Sequence, residues 1–135
     1  MFVGLELRQS RDIAIAGIYQ QRTELYVQMN STLINSDTYL RGIEKFESQE
    51  QLTVPEQYVI EMVFDSYLAY WENNHFQFQI GLMSAEQWDA SLNAMRWSFQ
   101  TYPETVEIWR RNRLLARKSF AEAVDALLDE IQTQN

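Results

Sequence analysis

Apolar positions recur along this chain at helical spacing, and the breaks between runs carry helix-start signals. Thr53-Val-Pro-Glu56, Ser84-Ala-Glu-Gln87, Thr101-Tyr-Pro-Glu104 and Ser119-Phe-Ala-Glu122 each read as a capping box. In such a box a hydroxyl accepts from the backbone N–H three residues on, and Glu or Gln reaches back to the cap. Pro55 and Pro103 fall two residues after their caps, where a missing N–H costs nothing. From these starts the spacing predicts a first helix from Leu5 to Met29, with Ile15, Ile18, Leu25 and Met29 spaced for one face. A loop over Asn30–Ser36 and a short helix over Asp37–Glu47 follow. The third helix runs from Val54 to Ile80, with Val59, Met62, Val63, Tyr67, Tyr70 and Trp71 in helical spacing and Gly81 as its C-cap. A fourth spans Ala85–Gln100, with Trp88, Leu92, Met95 and Phe99 as its stripe. Pro103 opens a fifth that ends near Leu115. A last helix over Phe120–Ile131 buries Phe120, Val124, Leu127, Leu128 and Ile131.

Only Phe76-Gln-Phe-Gln-Ile80 alternates as a strand would, and it lies inside a longer helical pattern. The expected class is therefore all-α: a single-domain bundle of five to six helices, long first and third helices and short loops, without internal repeats. At 135 residues the chain has the size of one domain. Its 46% apolar and 13% aromatic content is too rich for a disordered segment. Four Gly and two Pro leave too little punctuation for a β-sandwich.

The net charge of −8 argues against nucleic acid as a partner, since phosphate binding needs a basic surface. The absence of Cys removes disulfides, thiolate catalysis and Cys-containing zinc sites. The four glycines are scattered, so no phosphate-cradling loop exists, and no Gly-x-Ser-x-Gly occurs. No cofactor is implied.

The first residues stand apart. Phe2, Val3, Leu5 and Leu7 are apolar, yet no cap precedes them. They read either as a frayed first turn or as the trailing edge of a membrane helix over residues 1–10, with Met1 an added start and 11–135 the helical domain. Phe2-Val-Gly-Leu-Glu-Leu-Arg-Gln-Ser10 resembles the juncture in a family of small membrane-anchored bacterial proteins. There an apolar span ends in a similar pattern, and a cytoplasmic helical domain follows. Trp71-Glu-Asn-Asn-His75-Phe-Gln, Gly81-Leu82 with Trp88, Trp109, and Phe120 with Val124-Asp125 are similar to it as well. The resemblance implies an inner-membrane protein whose span is missing here, and it assigns no catalytic residue. About 20 apolar residues would be needed to cross a bilayer, and this chain offers only a few. Arg8 and Arg11 just past such a span would favour a cytoplasmic domain.

Two residue sets stand out as candidate ligand or interaction sites. Glu72 and His75 form a Glu-x-x-His pair that di-iron bundles use for one metal. A complete site needs a second such motif, and this is the chain's one His. The pair otherwise reads as a core-edge imidazole hydrogen-bonded to a neighbour, Glu72 being one candidate. With Trp71 beside it, the region can also border a small-molecule pocket. Arg110, Arg111, Arg113, Arg117 and Lys118 form the second set, a basic cluster in an acidic protein. It reads as a solvated face at a helix C-terminus, as a contact for anionic lipid headgroups, or as a contact for an acidic partner, a second copy included. Trp71, Trp88, Trp97 and Trp109 are expected in the core. The best-supported function is a membrane-tethered protein-interaction or scaffold module, without catalysis. A small-molecule-binding or sensory domain is the alternative, and a metal enzyme built across a dimer comes last.

Overall fold

The computed structural model describes residues 2–134, so Met1, on which the reading of an added start turns, lies outside the described residues. Six α-helices account for most of them: α1 Phe2–Ile34, α2 Asp37–Glu47, α3 Val54–Gln79, α4 Ala85–Thr101, α5 Glu104–Asn112 and α6 Lys118–Gln134. A 3-10 turn over Arg113–Leu115 follows α5. No strand occurs among the described residues, and the all-α class with long first and third helices is the observed one.

Two of the four expected capping boxes form. Thr53 N–H donates to Glu56 Oε1 at 2.9 Å while Glu56 N–H donates to Thr53 Oγ1 at 3.3 Å. Ser84 N–H and Gln87 Oε1 meet at 3.0 Å, and Gln87 N–H returns to Ser84 Oγ at 3.2 Å. The other two are overridden. Thr101 is the last residue of α4, and Pro103 caps α5 without a side-chain bond. Ser119 lies inside α6, which starts one residue earlier at Lys118.

The C-termini follow backbone chemistry. Gly81 takes φ +83°, and Leu82 N–H reaches Gln77 O at 2.8 Å while Gly81 N–H reaches Phe78 O at 3.1 Å. This pair of bonds is the Schellman closure. α2 ends the same way, but with Gln49 at φ 60° in the glycine-like position and Glu50 N–H on Lys45 O at 2.9 Å.

The chain divides into two compact units, 1–70 and 71–135, and the division falls within α3. In the first, Ala16, Thr23 and Asn30 of α1, Gly42 of α2, and Ile60, Val63, Phe64, Ser66 and Leu68 of α3 are buried. Asn30 is not in a loop: α1 continues to Ile34, and the Asn30 amide donates to Ser66 Oγ and to Val63 O. Gly42 sits where a Cβ would lie 2.9 Å from Ile60 Cδ1, so a side chain there would require Ile60 to shift. The apolar face of α1 is not its inward face, and of the four residues that define it only Ile15 is half-buried. Ile18, Leu25 and Met29 point outward, and the buried face is Ala16, Thr23 and Asn30, seven residues apart. No described helix is long and apolar enough to cross a membrane.

In the second unit Met95 and Phe99 of α4, Ile108 and Trp109 of α5, and Phe120, Val124, Leu127, Leu128 and Ile131 of α6 form the core. Every apolar residue expected of α6 is buried. Trp109 meets Phe120 edge-on at 5.8 Å, a geometry the ring quadrupoles favour. Three of the four tryptophans are buried; Trp97 is 62% exposed and lies edge-on to Tyr102.

Candidate functional site

The residues singled out in the sequence converge on one region of the second unit, the C-terminal turns of α3 facing the start of α6. Glu72, His75, Phe76 and Gln79 follow the i, i+3, i+4, i+7 spacing and therefore share a helix face. They are not a metal pair. Glu72 Oε2 accepts from the backbone N–H of Arg117 at 3.1 Å, immediately ahead of Lys118, the first residue of α6. The carboxylate thus satisfies the N-cap N–H that a Glu or Gln at the third helical position would serve in a capping box, and its charge suits the positive end of the helix dipole. Glu72, one candidate partner for the His75 ring, is instead bonded to the start of α6. Among the described residues no three His, Asp or Glu side chains are placed to hold a metal ion.

His75 is 7% exposed and packs its ring against Trp88 at 4.9 Å and Phe120 at 5.9 Å. Its Nδ1 is buried with no hydrogen-bond partner among the described residues. Burial lowers its pKa below the usual 6.5, and the positive charge of Arg117 adds to the effect. A neutral ring in an aromatic wall is the outcome. Trp71 is buried as well, while the preceding Tyr70 is exposed.

The basic cluster does not act as one face. Arg117 is drawn inward: its Nη2 donates to Gln79 Oε1 at 3.0 Å, and its guanidinium lies 4.6 Å from the Phe76 ring centroid. Arg113 Nε and Nη2 both reach Asp125 Oδ2 at 2.6 Å. The same carboxylate accepts from Trp109 Nε1 at 3.1 Å. Asp125 is held below its ordinary pKa: burial opposes its charge, but the bonds from Arg113 and Trp109 prevail. Arg110 pairs with Glu107 at 2.8 Å on the surface. Arg110, Arg111 and Lys118 remain exposed, and beside them Leu114 and Leu115 are 89% and 85% exposed on the 3-10 turn.

The larger surface feature was missed by sequence reasoning. Val3, Leu5, Leu7, Ile13, Ile18, Leu25, Val27 and Met29 of α1 are all 51–68% exposed. The periodicity was legible, but which of two faces turned inward was not. The face that is buried carries a small residue and two polar ones. Comparison with family models, with curated proteins and with solved structures finds no match to this chain.

Proposed function

We propose that the chain is a protein-interaction module whose docking element is α1. One observation carries this reading: a 33-residue helix turns eight large apolar side chains to solvent while burying Ala16, Thr23 and Asn30. Five of the eight, Val3, Leu7, Ile18, Leu25 and Met29, share one side of the helix, and exposed apolar surface of this kind is costly in water and marks contact sites. The bonds around Glu72 and His75 are those of packing and capping: Glu72 accepts from the Arg117 N–H, and Arg117 donates to the Gln79 amide.

A photo-crosslinking residue placed at Ile18 in cells, with the exposed Tyr58 of α3 as control, tests the reading. A discrete polypeptide adduct from position 18 and none from 58 is expected. Absence of any polypeptide adduct at 18 would refute it.

A membrane-proximal setting is supported by the juncture-like residues 2–10 and by the 3-10 turn, where Leu114 and Leu115 project beside Arg110, Arg111 and Lys118. Apolar tips flanked by cations suit an anionic lipid surface. Vesicles containing anionic lipid should retain the protein, and changing both leucines to Ser should release it; equal binding to neutral vesicles would sink this second contact.

A further inference from the structure

We infer that the partner of α1 is a second copy of this chain, with the two α1 helices lying parallel. The inference rests on the interaction-module reading and adds to it the identity and direction of the partner.

Six of the exposed apolar residues of α1 form one stripe, while the exposed Leu5, Ile13 and Val27 lie off it. Val3, Ala14 and Leu25 are spaced by 11, and so are Leu7, Ile18 and Met29. Each pair is four residues apart, one helical turn. At 100° per residue these six positions fall within an arc of about 80°. An 11-residue period corresponds to about 3.67 residues per turn, close enough to an α-helix that the stripe runs nearly straight instead of winding around it. Between Val3 and Met29 it extends about 39 Å at 1.5 Å per residue. Five of the six side chains are large and more than half exposed, and Ala14 is exposed too. A straight stripe of this length matches another straight stripe, and α1 itself supplies one.

The edges of the stripe decide the direction. Arg11 and Arg22, also 11 apart, line one edge, with Arg8 further round on the same side. Glu6 and Glu24 line the opposite edge. All five are exposed. Arg11 touches its neighbour Asp12 only at 3.7 Å and stays 71% exposed, and Arg22 lies 5.8 Å from the Tyr19 ring centroid. Both are loose local contacts that long side chains can exchange. When two copies pair in parallel about a two-fold axis, the basic edge of each helix meets the acidic edge of the other. Glu6 then faces Arg11 across an axial offset of about 7.5 Å, the reach of the long side chains that bridge paired helices. Glu24 faces Arg22 across about 3 Å. An antiparallel pair would instead set arginine edge against arginine edge. Charge complementarity therefore selects the parallel arrangement.

The full chain contains no Cys, which makes disulfide mapping direct. Single variants Leu7→Cys and Met29→Cys should each form a self-disulfide under mild oxidation, and a mixture should give no 7–29 species. Sedimentation of the unmodified chain should show a concentration-dependent dimer. Arg11→Glu with Arg22→Glu should weaken it about tenfold or more, as should Glu6→Arg with Glu24→Arg, and mixing the two variants should restore association. Far-UV circular dichroism would confirm that each variant is folded. A monomer at all concentrations with no self-disulfide overturns the inference, as does a 7–29 disulfide, which reports antiparallel pairing. Protection of Ile18→Cys from labelling by vesicles alone would overturn it in favour of lipid. If the chain is monomeric yet position 18 still crosslinks to another polypeptide, self-pairing fails while the interaction-module reading stands.

Discussion

His75 offers the sharpest test of how the second unit packs, because it is the one histidine in the chain. Its ring is buried against Trp88 and Phe120 with Nδ1 unpartnered among the described residues, and burial followed by the charge of Arg117 depresses its pKa below 6.5. A base whose folded pKa is depressed stays neutral in the folded chain after the unfolded chain has begun to protonate. Its contribution is therefore complete above pH 6.5 and is lost as pH falls below that value. One proton sets the ceiling of this loss at about 1.4 kcal/mol per pH unit. His75→Phe keeps the aromatic contacts and removes the titrating nitrogen. Near pH 7.5 relief of an unpartnered buried nitrogen, about 1–3 kcal/mol, opposes the strain of a larger ring, also about 1–3 kcal/mol. The variant should then lie close to the parent. Between pH 7.5 and 5 the parent should lose stability relative to the variant, while Asp and Glu titrations cancel in the difference. Guanidinium unfolding followed by tryptophan fluorescence reads the right unit, since Trp71, Trp88, Trp97 and Trp109 all lie in residues 71–135. A parent and variant with identical pH slopes, or an imidazole NMR titration at or above 6.5, would refute the reasoning.

Three further outcomes follow from the same geometry. Glu72→Ala should cost about 0.5–2 kcal/mol in denaturant unfolding by stripping the acceptor from Arg117 N–H, whereas Glu72→Gln, which keeps an acceptor, should lose only the dipole part of about 0.3–1 kcal/mol; equal losses would show that the cap is not the cause. Glu56 is held at about 2, against an ordinary 4.5, first by its hydrogen bond from Lys45 and then by the Thr53 backbone N–H. Its contribution to stability is thus present above pH 4.5 and disappears between 4.5 and about 2; Lys45→Met should move the acid unfolding midpoint upward, as read by far-UV circular dichroism, and an unmoved midpoint would count against the pair. Gln49→Gly should raise stability by about 1 kcal/mol, because a side chain at φ 60° pays a steric cost that glycine does not; a destabilised variant would refute that account.

How much of this was readable in the sequence depends on where each signal originates. The starts of α3 and α4 were legible because their caps are local: Thr53 with Glu56 and Ser84 with Gln87 need nothing from elsewhere. The start of α6 was not, since its acceptor comes from Glu72 and Ser119 is left inside the helix. Thr101 satisfied the same pattern but was absorbed by α4. The inward face of α6 was plain, as its apolar stripe and its buried stripe coincide. In α1 they do not, so periodicity alone did not identify the inward side. The candidate residues Glu72, His75 and Arg117 do meet, yet as a cap, an aromatic wall and an inward cation. The spacing that suggested metal ligation shows only that two side chains share a face.

The bond from Arg117 N–H to Glu72 spans 45 residues, and this has a kinetic corollary. During synthesis α3 and α4 emerge with their own start signals and can nucleate at once. The first turn of α6 has no such signal and waits for the last turns of α3 to be in place. Fraying of α3 near Glu72 should therefore expose the Arg117 amide at the head of α6 to hydrogen exchange in step with its own.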